Sequence, residues 1–205
     1  MEYKIEIDGD TYTMSELYSV TITQPLFEQF SVGNACSGEL KVTFLPHGNI
    51  GKMAKFVPFG RESSDSKWIQ LGVFYLDTRE QHQELMSITA YDDMLKAEIV
   101  WTPDQSLNFP MTMSNAVEEI SDLMGVSIDS RTVLSNEYTI DYPANDYTLR
   151  EILQYIAAAH GGNWIITATG QLLLVPLFDS MPVENNHLVT ENGDAITFGG
   201  VKILV

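Results

Sequence analysis

The chain has 205 residues, 44% of them hydrophobic and 10% aromatic, enough for one large or two small cores. Its 28 acidic residues against 11 basic ones give a formal charge of −17, which excludes a protein that grips nucleic acid or an anionic membrane through counterion release. The acids are spread along the chain rather than gathered in a block, the pattern of a solvated surface and not of a disordered acidic tail.

A single cysteine, Cys36, precludes an internal disulfide, and no basic segment followed by an apolar run opens the chain. Both features point to synthesis in a reducing cytoplasm. The longest apolar runs, such as "LLLV" at 172–175, are far too short for a bilayer-spanning helix, so no membrane insertion is expected.

Up to about residue 100 the apolar positions recur at every second residue, the period of a strand with one buried face. "YKIEI", "SVTIT", "LKVTF", "AKFVPF", "WIQLGVFYLDT" and "LMSITAY" give six or seven strands, separated by "DGD", "VGNACSG", "LPHGNIGK" and "GRESSDSK". So many antiparallel strands must hide their edges, which predicts a small barrel or a two-sheet sandwich. After "TPDQSLNFP" the period becomes helical. Met113, Val117, Ile120 and Met124 mark one helix, with Thr112 or Ser114 as its cap and Gly125 as its stop. A second follows in "TLREILQYIAAAHGG", where Thr148 and Glu151 form a capping box and Leu149, Ile152, Leu153, Ile156 and Ala157 form the core face. "NWIITATGQLLLVP" reads as a hairpin turning near Thr169-Gly170. The fold class is therefore α+β: an N-terminal antiparallel β-barrel or sandwich over 1–104, then an α+β unit of two helices on a small sheet over 105–180. Residues 181–205 form a polar loop and an apolar, strand-like end, expected to return to the first barrel or to continue in a longer chain. No internal repeat or low-complexity segment is present.

Few residues suggest chemistry. Asp92 and Asp93 are adjacent, and neighbours on a strand point to opposite faces, while on a helix they stand about 100° apart. They do not converge on one substrate, and a cap on the turn "DDMLKAE" is the expected role. His47, His82, His160 and His187 fit no metal-ligand spacing, and His160 falls where a protonated ring would favour a helix C-terminus. "DGD" at 8–10 lacks the rest of a calcium loop, Cys36 lacks a catalytic context, and "GNIGK" is too short for a phosphate loop. The aromatic residues fall mostly on strands, where packing explains them better than base stacking. The expectation is a non-enzyme without cofactor or metal, in which Asp92, Thr148 and Glu151 act as structural caps.

The order and spacing of "GVFYLDT", "ITAYDDML" and "YTLREILQYIAAAHGG", across about 20–180, resemble the N-terminal part of the phage and prophage tail hub proteins, the central baseplate or tail-tip family. The resemblance implies a virion structural protein whose full-length form is a homotrimer. Two tube-type barrels per subunit would make a pseudo-sixfold ring, joined to tail-tube proteins on one side and to spike or tip proteins on the other. Residues 1–104 would be the first tube barrel and 105–180 a peripheral α/β domain. Ile196 to Val205 would begin a return strand or a second barrel, which does not fit within 205 residues. The expected location is the virion tail after assembly in the bacterial cytoplasm. An acidic lumen would let DNA pass without sequence-specific binding. Two other readings remain: the non-catalytic N-terminal part of a tail-associated peptidoglycan hydrolase, and a host-surface binding module in which Trp68 and Trp101 flank the binding loops.

Overall fold

Period-two alternation builds a single antiparallel sheet from the first half of the chain. The structure, a computed structural model, describes residues 2–26, 31–102, 108–143 and 146–177, and the backbone of 197–198 and 201–202. The sheet has eight strands: β1 (Glu2–Ile7), β2 (Asp10–Thr13), β3 (Leu17–Thr23), β5 (Glu39–Phe44), β6 (Lys55–Arg61), β7 (Ile69–Gln70), β8 (Phe74–His82) and β9 (Leu85–Tyr91). Its order is β2-β1-β6-β8-β9-β5-β3, with β7 paired to β6. Asp8 and Gly9 both have positive φ between Ile7 and Asp10, which pair across β1 and β2; such turns match the right-handed twist of the strands they join.

Register decides which side chains are buried. Leu40, Val42 and Phe44 of β5 lie opposite Ala90, Ile88 and Met86 of β9, and all six are buried in the sheet core. A shift by one residue would turn every one of them to solvent, so this pairing is strongly specified. A bulge in β8 between Leu76 and Thr78 restores the alternation beyond Asp77, leaving Thr78 opposite Thr89. β3 folds back over β1 and β6, and its Leu17, Val20 and Ile22 pack on the same core. Among the described residues β2 and β3 do not pair, so the sheet curls without the closure that a barrel requires, and a cavity of about 430 Å³ marks the seam.

The second core begins where β9 ends. A 3-10 helix (Asp93–Glu98) leads to β10 (Met111–Thr112), α1 (Met113–Met124), β11 (Thr139–Ile140), α2 (Leu149–Ala159), β12 (Gly162–Ile166) and β13 (Leu172–Pro176). Thr112 accepts from Asn115 N at the start of α1, and Gly125, at φ +66°, closes it in the left-handed conformation that costs glycine least. In α2 the Thr148 hydroxyl accepts from Glu151 N, and the Glu151 carboxylate accepts from Thr148 N at 2.7 Å. The helices cover the β12–β13 hairpin, with Ile120, Leu153 and Trp164 fully buried between them.

This core also takes residues from elsewhere. Met94, Ala97 and Trp101 come from the 3-10 helix and the segment after it, and Ala35 comes from the loop that "VGNACSG" suggests. Asn34 and Ala35 form β4, a two-residue strand paired in parallel with Asn163 and Trp164 of β12. Of the final segment, Thr197–Phe198 (β14) and Val201–Lys202 (β15) pair antiparallel, and the rest of 178–205 lies outside the described residues.

Candidate functional site: a polar sheet face and the joint between two cores

The face of the sheet turned away from its core is rich in hydroxyls, and strand register arranges it in rows. One row runs Ser19, Thr43, Ser87, Glu80 across β3, β5, β9 and β8; the next runs Thr21, Lys41, Thr89, Thr78; the third runs Thr23, Glu39, Tyr91, Tyr75. Thr43 and Ser87 share a hydrogen bond of 2.9 Å, and Lys41 pairs with Glu39 at 2.7 Å. Tyr91 donates to Glu39 at 3.3 Å, and burial first, then Glu39, raises the pKa of that phenol. With Asp77 at the bulge, three acids stand against one lysine on this face. Such a surface offers many weak, satisfied hydrogen-bonding groups and no deep apolar site.

Where the sheet meets the second core, the aspartates of the sequence reading fall at a joint. Asp92 is only 3% exposed and accepts from Gly38 N at 2.7 Å and from Met94 N at 3.1 Å, the second bond capping the 3-10 helix. Gly38 has no side chain for a packing reason: a Cβ there would stand 2.8 Å from Asp92 Oδ2 and 2.5 Å from Gln24 Oε1. Burial pushes the Asp92 carboxyl up to about 7, while the two backbone donors and Arg150 oppose the rise. Asp93, also buried, pairs instead with Lys96 at 2.7 Å. The two carboxylates thus have separate partners.

Arg150, on the first turn of α2, ties the joint together. Its guanidinium donates to Ala35 O, to Ser37 Oγ at 2.8 Å and to Met94 O at 3.1 Å, and it meets Glu98 at 2.5 Å. One side chain therefore fastens α2 to the β4 segment and to the 3-10 helix. On the other side of Asp92 lies a cavity of about 210 Å³ between β3, β8 and the β12–β13 hairpin, walled by Ile22, Phe74 and Ile166. Asp92 is the sole ionisable side chain on its described walls, and it has no second acid or base to work with there. A buried carboxylate of raised pKa can mark an active site, but both oxygens here are committed to backbone N–H groups.

The remaining candidates are dispersed. His47 stacks on Tyr12 and pairs with Glu16, and His82 pairs with Glu80 on an exposed strand end. His160 is the C-cap of α2, but not as a cation: Nδ1 donates to Ile156 O at 2.8 Å while Nε2 accepts from Ser135 N at 2.9 Å, a pattern that uses the neutral ring. His187 lies outside the described residues. Asp8, in the β1–β2 turn, accepts from Lys55 N at the start of β6, and Cys36 is buried with Sγ 3.8 Å from Leu26 O. Trp101 is 1% exposed and donates to Glu119, so it is packed in the core and not displayed on a binding loop. Trp68 is half-buried under the Arg61 guanidinium, 4.4 Å from the ring centre. Among the described residues no group of three or more His, Cys, Asp or Glu side chains could hold a metal. No described helix is long and apolar enough to cross a membrane.

The sequence signals missed Arg150, which reads as a solvent-facing helix residue, and the Gly38–Asp92 contact, which spans 54 positions. No protein-family model matches the sequence, and no curated protein matches it. Solved structures do. A 43 kDa tail protein of prophage MuSo2 from Shewanella oneidensis superposes with a TM-score of 0.57 at 11% identity, over 97% of this chain and 58% of that one. A tail protein from Neisseria meningitidis gives 0.57 at 12%, over 85% and 51%. The prophage tail protein gp18 from Listeria monocytogenes gives 0.53 at 12%, over 97% and 55%. The chain spans little more than half the length of each, and its fold, a mostly antiparallel sheet followed by two helices and a hairpin, is similar to that of these tail proteins over that span.

Proposed function

We propose that this chain is a structural, non-enzymatic component of a phage or prophage tail, the tube-wall and peripheral parts of a hub ring between the tail tube and the tip. The observation that carries the reading is the four-stranded polar face, whose rows of Ser, Thr and a few acids suit the wall of a wet channel better than they suit a binding site. Copies of that face, set side by side in a homotrimer of the full-length protein, would line a bore through which DNA passes. Three acids against one lysine on the face make each copy net negative. Phosphates would be repelled within a Debye length of about 8 Å at physiological salt, so the duplex slides without adhering. The likeness to three tail proteins supports the same role.

Light scattering on the full-length protein, followed by electron microscopy of the particles, tests the proposal. A trimeric ring with Thr21, Thr43 and Thr89 facing the bore is expected. A strict monomer at high concentration, or a ring with these threonines on its outside, would overturn it.

A further inference from the structure

The helix core carries a cluster of large side chains that it does not bury. Residues 99–101 run antiparallel to residues 147–149: Val100 stands opposite Thr148, Leu149 N donates to Ile99 O at 2.9 Å, and Trp101 N donates to Tyr147 O at 2.7 Å. Trp101 and Leu149 are buried and fix this short ladder to the core, yet Ile99, Val100 and Tyr147 are 51%, 55% and 40% exposed. Tyr155, on α2, is 59% exposed and meets the Tyr147 ring edge to face, with centroids 5.7 Å apart. Exposed apolar residues scattered singly mean little, but clusters rimmed by charge mark interaction surfaces. Here the rim has one sign. Glu98 flanks Ile99, Asp146 flanks Tyr147, and Glu151 lies four residues before Tyr155 on the same face of α2; all three are exposed. Arg150, the one base within 98–101 and 146–155, is turned inward. Its side chain is 18% exposed against 57% for Glu98, and it donates to Ala35 O, Ser37 Oγ and Met94 O.

We propose that this cluster is the docking site of a partner protein segment whose apolar side chains are flanked by arginine or lysine. Charge selects that occupant. A second copy of the chain would bring the same three acids against these, and an acidic partner would be repelled by them and by the net charge of −17 behind them. A basic segment meets carboxylates at the rim. At the centre it meets two phenol rings, whose faces attract a guanidinium or ammonium group. Tyrosine gives a large contact area with few rotatable bonds, and the ladder holds the backbone of Ile99, Val100 and Tyr147 in place before any partner arrives, so little ordering entropy is lost on docking. The assignment stands independently of the polar sheet face and of the tail role.

Magnetic-resonance titration of the full chain tests it with two blocked helical peptides that share one leucine stripe, flanked by arginines in the first and by glutamates in the second. The arginine peptide should shift the amides of Ile99, Val100, Tyr147 and Tyr155 most, and the glutamate peptide should bind at least about tenfold more weakly. Tyr155→Lys sets a like charge at the centre, and Tyr147→Ser with Tyr155→Ser removes both rings; each should weaken the arginine peptide at least about tenfold. Both side chains are exposed, so neither variant removes a core residue. Glu62→Gln with Asp65→Asn, in the exposed loop between β6 and β7, should leave binding within about twofold. Failure of the arginine peptide to bind, shifts spread over the whole acidic surface, or tyrosine variants that bind as well as the unaltered chain would each overturn the proposal. Shifts of the same four amides that grow with protein concentration in the absence of peptide would assign the cluster to a second copy and overturn it as well.

Discussion

The sheet core and the helix core are assembled on different terms. In the sheet, most buried residues face a cross-strand partner in a register that repeats down the strand, as Leu40, Val42 and Phe44 face Ala90, Ile88 and Met86. In the helix core, two helices and a hairpin enclose Trp164, but the enclosure is finished by Ala35, Met94 and Trp101, supplied from earlier in the chain. The first core rests on many equivalent contacts. The second rests on a few singular ones at the joint, where Arg150, Asp92 and Gly38 meet. Damage should therefore spread evenly in one and concentrate at named points in the other.

The largest effect is expected from Trp164→Ala. The indole is fully buried and donates to Leu153 O at 2.9 Å, so its loss should cost about 4 kcal/mol and unfold the helix core first, visible as a separate early transition in calorimetry. A single cooperative transition, lowered as a whole, would show instead that the two cores stand or fall together.

Asp92 sharpens the comparison through pH. Its folded pKa of about 7 lies above the ordinary 3.8, so the folded state holds a proton that the unfolded state releases between those values. Stability from this group is fully present below about pH 4 and is lost as pH rises to about 7, a change on the order of 4 kcal/mol. Asp92→Asn should remove that slope while leaving a constant loss, because an amide can accept from only one of the Gly38 and Met94 N–H groups. Denaturant titrations of both proteins from pH 4 to 8 measure the difference, and parallel curves would refute the assignment.

Arg150→Met should cost about 2–3 kcal/mol by leaving the Ala35 and Met94 carbonyls without their charged donor; the bond to the exposed Glu98 adds little. Its signature is faster hydrogen exchange at Cys36, whose N–H donates to Trp164 O, with β5 and β9 unchanged. Thr148→Ala, which deletes one half of the capping box, should cost about 1 kcal/mol in thermal unfolding. At the bottom of the scale, Thr89→Val on the polar face should alter stability by less than about 0.5 kcal/mol.

What could be read from the sequence follows the same division. The strands announce themselves through alternation, and the helices through Met113, Val117, Ile120 and Met124 and through Leu149, Ile152, Leu153 and Ile156, because each signal is complete within a few turns of chain. The joint does not announce itself. Asn34 and Ala35 sit in a stretch of glycine and small polar residues that reads as a loop, and they become a strand only because β12 offers its edge 129 residues later. Arg150 looks like any charged residue on a helix surface until the Ala35 carbonyl arrives beside it. Trp101 and His160 mislead for the same reason, since Glu119 and Ser135, the groups that settle their roles, come from other segments. The polar face was visible as alternation, but its rows depend on the bulge at Asp77, which no local pattern marks.

The parallel bridge between Asn34-Ala35 and Asn163-Trp164 bears on how such proteins can be recombined. A genetic exchange that moved only residues 105–177 into another gene would leave behind the two-residue strand that borders β12, together with the carbonyl that anchors Arg150. The helical module is thus heritable as a unit only along with a fragment from the early part of the gene, and chimeras spliced at the apparent boundary should aggregate unless the recipient supplies an equivalent of "GNACSG".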